Sequence, residues 1–303
     1  MGGVAAAAAS TAVRYDGGRL AVIIALVLVS AFLHATWNAL LRLEQDKDRS
    51  LVVAILVATC FAAAVAGVRW SLGAVPFASL GGLGETLLAG TFEAIYFATL
   101  ARAMDRGKLG VVYTISRGGA VLAVWPLSIA LFAELVTWPA VAGSLLVLAG
   151  LALSGLGAGR SGDGHRSGAV GWAVACAVSI AGYHLSYKAA LRDGVNPSAC
   201  FALSLGISAV MNLGRLGRPG RRELGALVRG RWPRLVVMGL VCGGSFLILM
   251  EALAIGGSGY VLTLRNTSVL FAAGMAWWIG ERPARIEIAG AMLVAAGAAL
   301  MAW

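Results

Sequence analysis

The sequence predicts an all-α integral membrane protein, with ten transmembrane helices arranged as two inverted five-helix repeats. Three observations predict it. Hydrophobic residues make up 59% of the 303 and charged residues 13%, with a mean hydropathy of +0.85, which excludes an ordinary soluble domain. The apolar residues come in successive runs of about 20, the length that crosses ~30 Å of hydrocarbon at about 1.5 Å per residue. Polar landmarks of the first half recur, in order, in the second.

The Ala/Gly-rich stretch 1–19 reads as a flexible tail. The run after it has no small-residue cleavage site behind a short core, so it is a first span and not a cleaved signal. Spans are expected at 20–41, 51–68, 77–101, 109–132 and 136–157, which form a first repeat over 20–157. A polar linker at 158–167 follows. Spans at 168–190, 197–214, 234–254, 258–279 and 284–303 form a second repeat over 168–303. Tight turns at Glu134 and at Gly280–Pro283 close the last hairpin of each repeat. The 41 glycines suit close packing of membrane helices through small side chains. The four cysteines lack metal-ligand spacing and read as small packing residues.

The duplication rests on several polar matches. His34-Ala-Thr-Trp-Asn-Ala-Leu-Leu-Arg42 aligns with His184-Leu-Ser-Tyr-Lys-Ala-Ala-Leu-Arg192. At nearly the same spacing, Arg117 matches Arg265, Glu134 matches Glu281, and Gly143 and Gly150 match Gly290 and Gly297. Five spans per repeat is an odd number, so the second repeat enters the membrane from the opposite side. Secondary transporters commonly share that arrangement, with a site near the midplane at the repeat interface.

The net charge of +10 is concentrated. Arg215, Arg218, Arg221, Arg222, Arg229, Arg231 and Arg234 fall in one expected loop. Nucleic acid is one partner for such a cluster. The favoured reading is a cytoplasmic loop touching anionic lipid headgroups, with no nucleic acid. The charge rule then puts both termini outside.

Arg117 and Arg265 are the leading site candidates. A charged side chain in hydrocarbon costs several kcal/mol, on the order of 2.5–3.5 by insertion scales. Placing one at matched positions of both repeats points to recognition of an anionic group by a guanidinium fork. A structural pair, each arginine bound to a carboxylate or to helix carbonyls, is the plainer alternative. Glu93 and Glu251 are the candidate partners, or proton-coupling carboxyls. His34, Trp37 and Asn38 share one helix face at i, i+3 and i+4, and His184, Tyr187 and Lys188 repeat the spacing. Those six, with Tyr96 and Asn266, are expected to line the cavity. Trp125-Pro126 marks a kink, and Trp277, Trp278 and Trp303 read as interfacial anchors.

The chain resembles the drug/metabolite transporter superfamily, EamA family. The resemblance is carried by the Phe132-Ala-Glu134 and Ile279-Gly-Glu281 turns in Gly/Ala-rich hairpins, and by His34-Ala-Thr-Trp-Asn-Ala-Leu-Leu, Ala101-Arg-Ala-Met and Tyr113-Thr-Ile-Ser-Arg-Gly. Ala133 replaces the usual Gly of the first turn. The resemblance implies a secondary transporter of small metabolites with no ATP site or other cofactor, and both termini in the cytoplasm, against the charge count.

The expected function is alternating-access transport of a small metabolite with an anionic group (amino acid, organic acid or phosphonate) across the inner (plasma) membrane. A lipid-linked carrier handling a phosphate headgroup, or a non-transporting structural or regulatory subunit, are the rivals. No nucleophile–base pair has meaningful spacing, so no catalytic residue and no enzyme is expected. A monomer holds a complete site, so monomer and homodimer both fit.

Overall fold

The computed structural model describes residues 17–132, 138–159, 165–256, 258–281 and 284–300. They form α1 (Gly17–Arg42), α2 (Lys47–Ser71), α3 (Leu80–Arg106), α4 (Leu109–Phe132) and α5 (Trp138–Gly159) in the first half. The second half holds α6 (His165–Arg192), α7 (Pro197–Arg215), α8 (Gly217–Ile255), α9 (Ser258–Arg265), α10 (Ser268–Trp278) and α11 (Arg285–Leu300). No strand occurs among the described residues. The turn at Glu134 and the side chain of Trp125 lie outside the described residues, as do Arg282 and Trp303.

Every expected span except the ninth is a single helix over its described residues. The ninth breaks between α9 and α10, and the cause is local. Asn266 Nδ2 donates to Leu262 O at 3.0 Å, while Thr267 donates to Leu264 O from its hydroxyl at 2.8 Å and its amide at 3.1 Å. These side chains take carbonyls that a continuous helix would pair with its own amides. A second correction concerns the arginine-rich stretch, which is helix and not loop. Only Leu216 separates α7 from α8, and Gly217 turns the chain at φ +65°. At 39 residues α8 is about 58 Å long, so its arginine-bearing start stands outside a ~30 Å hydrocarbon layer.

Among the described residues, five helices are long and apolar enough to cross a membrane: Ala21–Arg42, Lys47–Ser71, Gly168–Arg192, Pro197–Arg215 and Gly217–Ile255. Their outer faces carry exposed apolar side chains, among them Val29, Phe32, Val174, Val178, Val210 and Val237. A protein in water hides such surface, whereas lipid accepts it.

The helix pairs exchange between halves. Helix α3 packs on α6 as α8 packs on α1, and α3 packs on α7 as α8 packs on α2. Glycine approaches repeat the pattern atom for atom. A Cβ on Gly90 would sit 2.7 Å from Ser204 O, and one on Gly239 would sit 2.6 Å from Ala54 O. Between α5 and α11, a Cβ on Gly150 would meet Gly290 O at 2.6 Å, and one on Gly297 would meet Gly143 O at 2.5 Å. The matching helices α1 and α6 run in opposite directions. The start of α1 is tied to the end of α8 by Arg19 donating to Ile255 O at 3.0 Å. The end of α6 instead meets the α2–α3 connection, where Asn196 N donates to Pro76 O at 3.0 Å.

Most ion pairs gather at the end of the bundle where α1 finishes. Arg42 meets Glu281 at 2.6 Å, Lys47 meets Asp105 at 3.1 Å, and Arg215 meets Asp48 at 2.7 Å. Glu44, whose side chain is 0% exposed, receives Arg231 at 2.9 Å and Arg234 at 3.4 Å, with Ser50 Oγ at 3.3 Å. Both arginines remain partly solvated, so the pair is less costly to break than a dry one. Glu44→Gln is expected to destabilise the protein by about 1–3 kcal/mol, read as a lowered melting temperature in detergent. An unchanged melting temperature shows that the pairs contribute nothing net.

Candidate functional site

Five helices aim a stripe at the centre with spacing i, i+3, i+4, i+7, the spacing of one helix face. They are His34, Trp37, Asn38 and Leu41 on α1, Glu93, Tyr96, Phe97 and Leu100 on α3, and Tyr113, Ser116, Arg117 and Ala120 on α4. Ile180, Tyr183, His184 and Tyr187 come from α6, and Cys242, Ser245, Phe246 and Leu249 from α8. All are buried. Arg265, at the end of α9, completes the cluster and is 0% exposed.

Arg265 Nη2 lies 2.8 Å from His34 Nδ1, and Trp37 Nε1 and Ser245 Oγ approach the same nitrogen at 3.3 and 3.4 Å. Arginine and indole nitrogens only donate, so Nδ1 accepts and the ring proton sits on Nε2. In that arrangement the His34 ring holds the Arg265 guanidinium through Nδ1. The guanidinium carbon also stands 4.7 Å over the Phe246 ring, a cation–π contact, and Phe246 stacks on Phe201 at 5.1 Å. Nε and Nη1 of Arg265 have no hydrogen-bond partner.

Arg117 sits among the hydroxyls of Tyr183, Tyr113 and Tyr96, with Nε and Nη1 likewise unpartnered. No carboxylate among the described residues pairs with either arginine. Glu93 is wholly buried, and neither carboxyl oxygen has a hydrogen-bond partner. It faces Tyr187 and Ser204, whose hydroxyls bond each other at 2.8 Å, and it feels the charge of Arg265.

The structure thus brings together Arg117, Arg265, His34, Trp37, Asn38, His184, Tyr187, Tyr96 and Glu93. Asn266 is buried beside Arg265, with its amide turned back to Leu262 O. Lys188 is only half-buried. Glu251 stands apart: it pairs with Arg69 at 2.5 Å, and both side chains are more than a third exposed. Sequence reasoning missed Tyr113, Tyr183 and Phe246. The repeat spacing that pairs Trp37 with Tyr187 also pairs Tyr96 with Phe246, so one signal was present.

A cavity of about 520 Å³ lies away from this cluster. It is an apolar groove between α1 and α10, lined by Phe32, Thr36, Leu40, Phe271, Gly274 and Trp278 among others.

The apolar exterior and the buried charged centre define a multi-pass helical membrane protein. Residues 167–303 match the model of the EamA-like transporter family. The second half of the chain is therefore similar to the EamA-like transporter family. A search of curated proteins found no match. A solved structure titled only "Crystal structure of protein" is 16% identical, with a TM-score of 0.64, and the match covers 95% of this chain and 98% of that one. At that identity the likeness shows the fold alone.

Proposed function

We propose that the protein is a secondary transporter that moves a small metabolite with an anionic group across the inner membrane by alternating access. The observation that carries this reading is the pair of buried guanidiniums with unpartnered N–H donors and, among the described residues, no carboxylate in an ion pair with either. A buried charge needs a partner, and an anionic substrate supplies one. Arg117 and Arg265 contact it, and His34, Trp37, Asn38, Tyr96, His184 and Tyr187 shape the site. Lys188 and Asn266 stand at its margin, and Glu93 is the coupling carboxyl.

The exchange of helix contacts and the opposed directions of α1 and α6 support two inverted repeats, 20–157 and 168–303, with α9 and α10 together forming one broken span of ten. Arg218, Arg221, Arg222 and Arg229 stay exposed on the start of α8, whereas Arg215, Arg231 and Arg234 pair with acids. The exposed four are the headgroup-facing set.

One observation favours a second reading. The apolar groove between α1 and α10 supports it, because a carrier of lipid-linked substrates needs an opening toward lipid.

The test is a melting-temperature screen of the detergent-purified protein with anionic metabolites, neutral and cationic amino acids, and phospholipids. A ligand that binds only the folded state raises the melting point. Shifts confined to anionic metabolites, and lost in Arg117→Gln and Arg265→Gln, support the first reading. Shifts with phospholipids alone support the second. Shifts from neutral or cationic ligands that survive in both variants overturn the anion reading.

A further inference from the structure

The central cluster has two poles. One pole is cationic: four guanidinium nitrogens, Nε and Nη1 of Arg117 and of Arg265, are buried without partners. The other is the Glu93 carboxyl, both of whose oxygens are buried without partners. Aromatic rings join the poles. Tyr96 beside Arg117 lies 5.5 Å from Tyr183, and Tyr183 lies 5.6 Å from Tyr187, which faces Glu93. The Tyr113 and Tyr183 hydroxyls are also unpartnered. Tyr187 and Ser204 bond each other at 2.8 Å beside the carboxyl.

A simple anion answers only the cationic pole. It leaves Glu93 buried and unpartnered near a second negative charge, which is costly. A group that answers the carboxyl must donate hydrogen bonds and carry positive charge, and an ammonium does both. Counted in ionised form, the site holds two positive charges and one negative. Its complement holds two negative charges and one positive.

We propose that the substrate is a small zwitterion with one ammonium and two negative charges, its anionic end on Arg117 and Arg265 and its ammonium on Glu93. The inference rests on the reading of this cluster as the substrate site. It assigns Glu93 a ligand contact where the transport reading gives it a coupling role. An acidic amino acid and an aminoalkylphosphonate share this chemistry.

The experiment measures binding to the full chain in detergent with a matched set of probes. Glutamate is compared with glutarate, which lacks the ammonium, and with 4-aminobutyrate, which lacks one negative charge. 3-Aminopropylphosphonate is compared with propylphosphonate. In at least one series, the complete zwitterion is expected to bind roughly tenfold or more tighter than its deaminated mate, the value of one charge-assisted contact. In the carboxylate series glutamate also exceeds 4-aminobutyrate. Glu93→Gln, isosteric and uncharged, abolishes the preference for the ammonium while the deaminated mate still binds. If the glutamine variant does not fold, Glu93→Asp, which withdraws the carboxylate by one methylene, is expected to weaken the preference for the ammonium while the deaminated mate binds as before.

Equal binding of the zwitterion and its deaminated mate in both series, lost in Arg265→Gln, overturns the ammonium site and leaves the anion site standing. Equal binding of glutamate and 4-aminobutyrate overturns the count of two negative charges. Binding of none of the probes, or binding that survives both arginine variants, removes the substrate-site reading and this inference with it.

Discussion

Arg265→Gln is expected to keep the fold and lose about 100-fold in transport. The guanidinium gives charge-assisted bonds to a bound anion, worth about 1.5–3 kcal/mol each, and about 1.4 kcal/mol is a factor of ten. His34 retains Trp37 and Ser245 as donors after the substitution, so its ring keeps its place. Removing a buried charge that no carboxylate neutralises also relieves a desolvation cost. The melting temperature of the ligand-free protein should therefore hold or rise. Arg265→Lys retains charge but not the planar fork, and about a tenfold loss is expected. The readout is counterflow of labelled glutamate and propylphosphonate in proteoliposomes, alongside melting. A large fall in melting temperature with transport retained in the surviving folded protein would make Arg265 a structural residue.

Gly150→Val and Gly297→Val should each cost about 3 kcal/mol or more and reduce the yield of folded protein sharply. Any side chain at these positions meets a backbone carbonyl of the facing helix, Gly290 O or Gly143 O. A carbonyl cannot rotate away as a flexible side chain can, so α5 and α11 must separate, and overpacking of this kind costs about 1–3 kcal/mol even where neighbours yield. Gly171, exposed on α6 with nothing near its missing Cβ, is the control. Gly171→Ala should be neutral or slightly stabilising. Equal behaviour of all three variants in a melting and yield assay sinks the close-packing account.

Much of this architecture is legible in sequence, for a physical reason. Apolar runs long enough to cross a membrane can hardly be anything but helix in lipid, so α1 to α8 fall where the runs fall. Repeat spacing exposed the paired arginines and the matched glycines Gly143/Gly150 and Gly290/Gly297, and the structure adds that these glycines meet one another. The break after Arg265 was hidden: no Gly or Pro interrupts Val261–Thr267, and the capture of carbonyls by Asn266 and Thr267 is a geometric event. The helical start of α8 was read as loop from its charge, although arginine is a good helix former. Glu93 and Glu251 look alike in sequence as carboxylates in apolar runs. Depth separates them: Glu93 lies on the inward stripe of α3, whereas Glu251 lies near the end of α8 within reach of Arg69. Tyr113 and Tyr183 resembled ordinary packing aromatics until their hydroxyls were seen beside Arg117.

The interruption between α9 and α10 explains how Arg265 tolerates its position. Helix α9 has eight residues and spans only about 12 Å, so it ends inside the protein and not at a surface. Its C-terminal end carries the negative pole of the helix macrodipole, and Arg265 is its last residue. The negative pole there favours a cation, and among the described residues no carboxylate pairs with the guanidinium. A carboxylate would occupy the fork's donors, whereas a dipole leaves them free. Arg117 lies within the unbroken α4 and has no such terminus, so the two matched arginines hold their charge by different means.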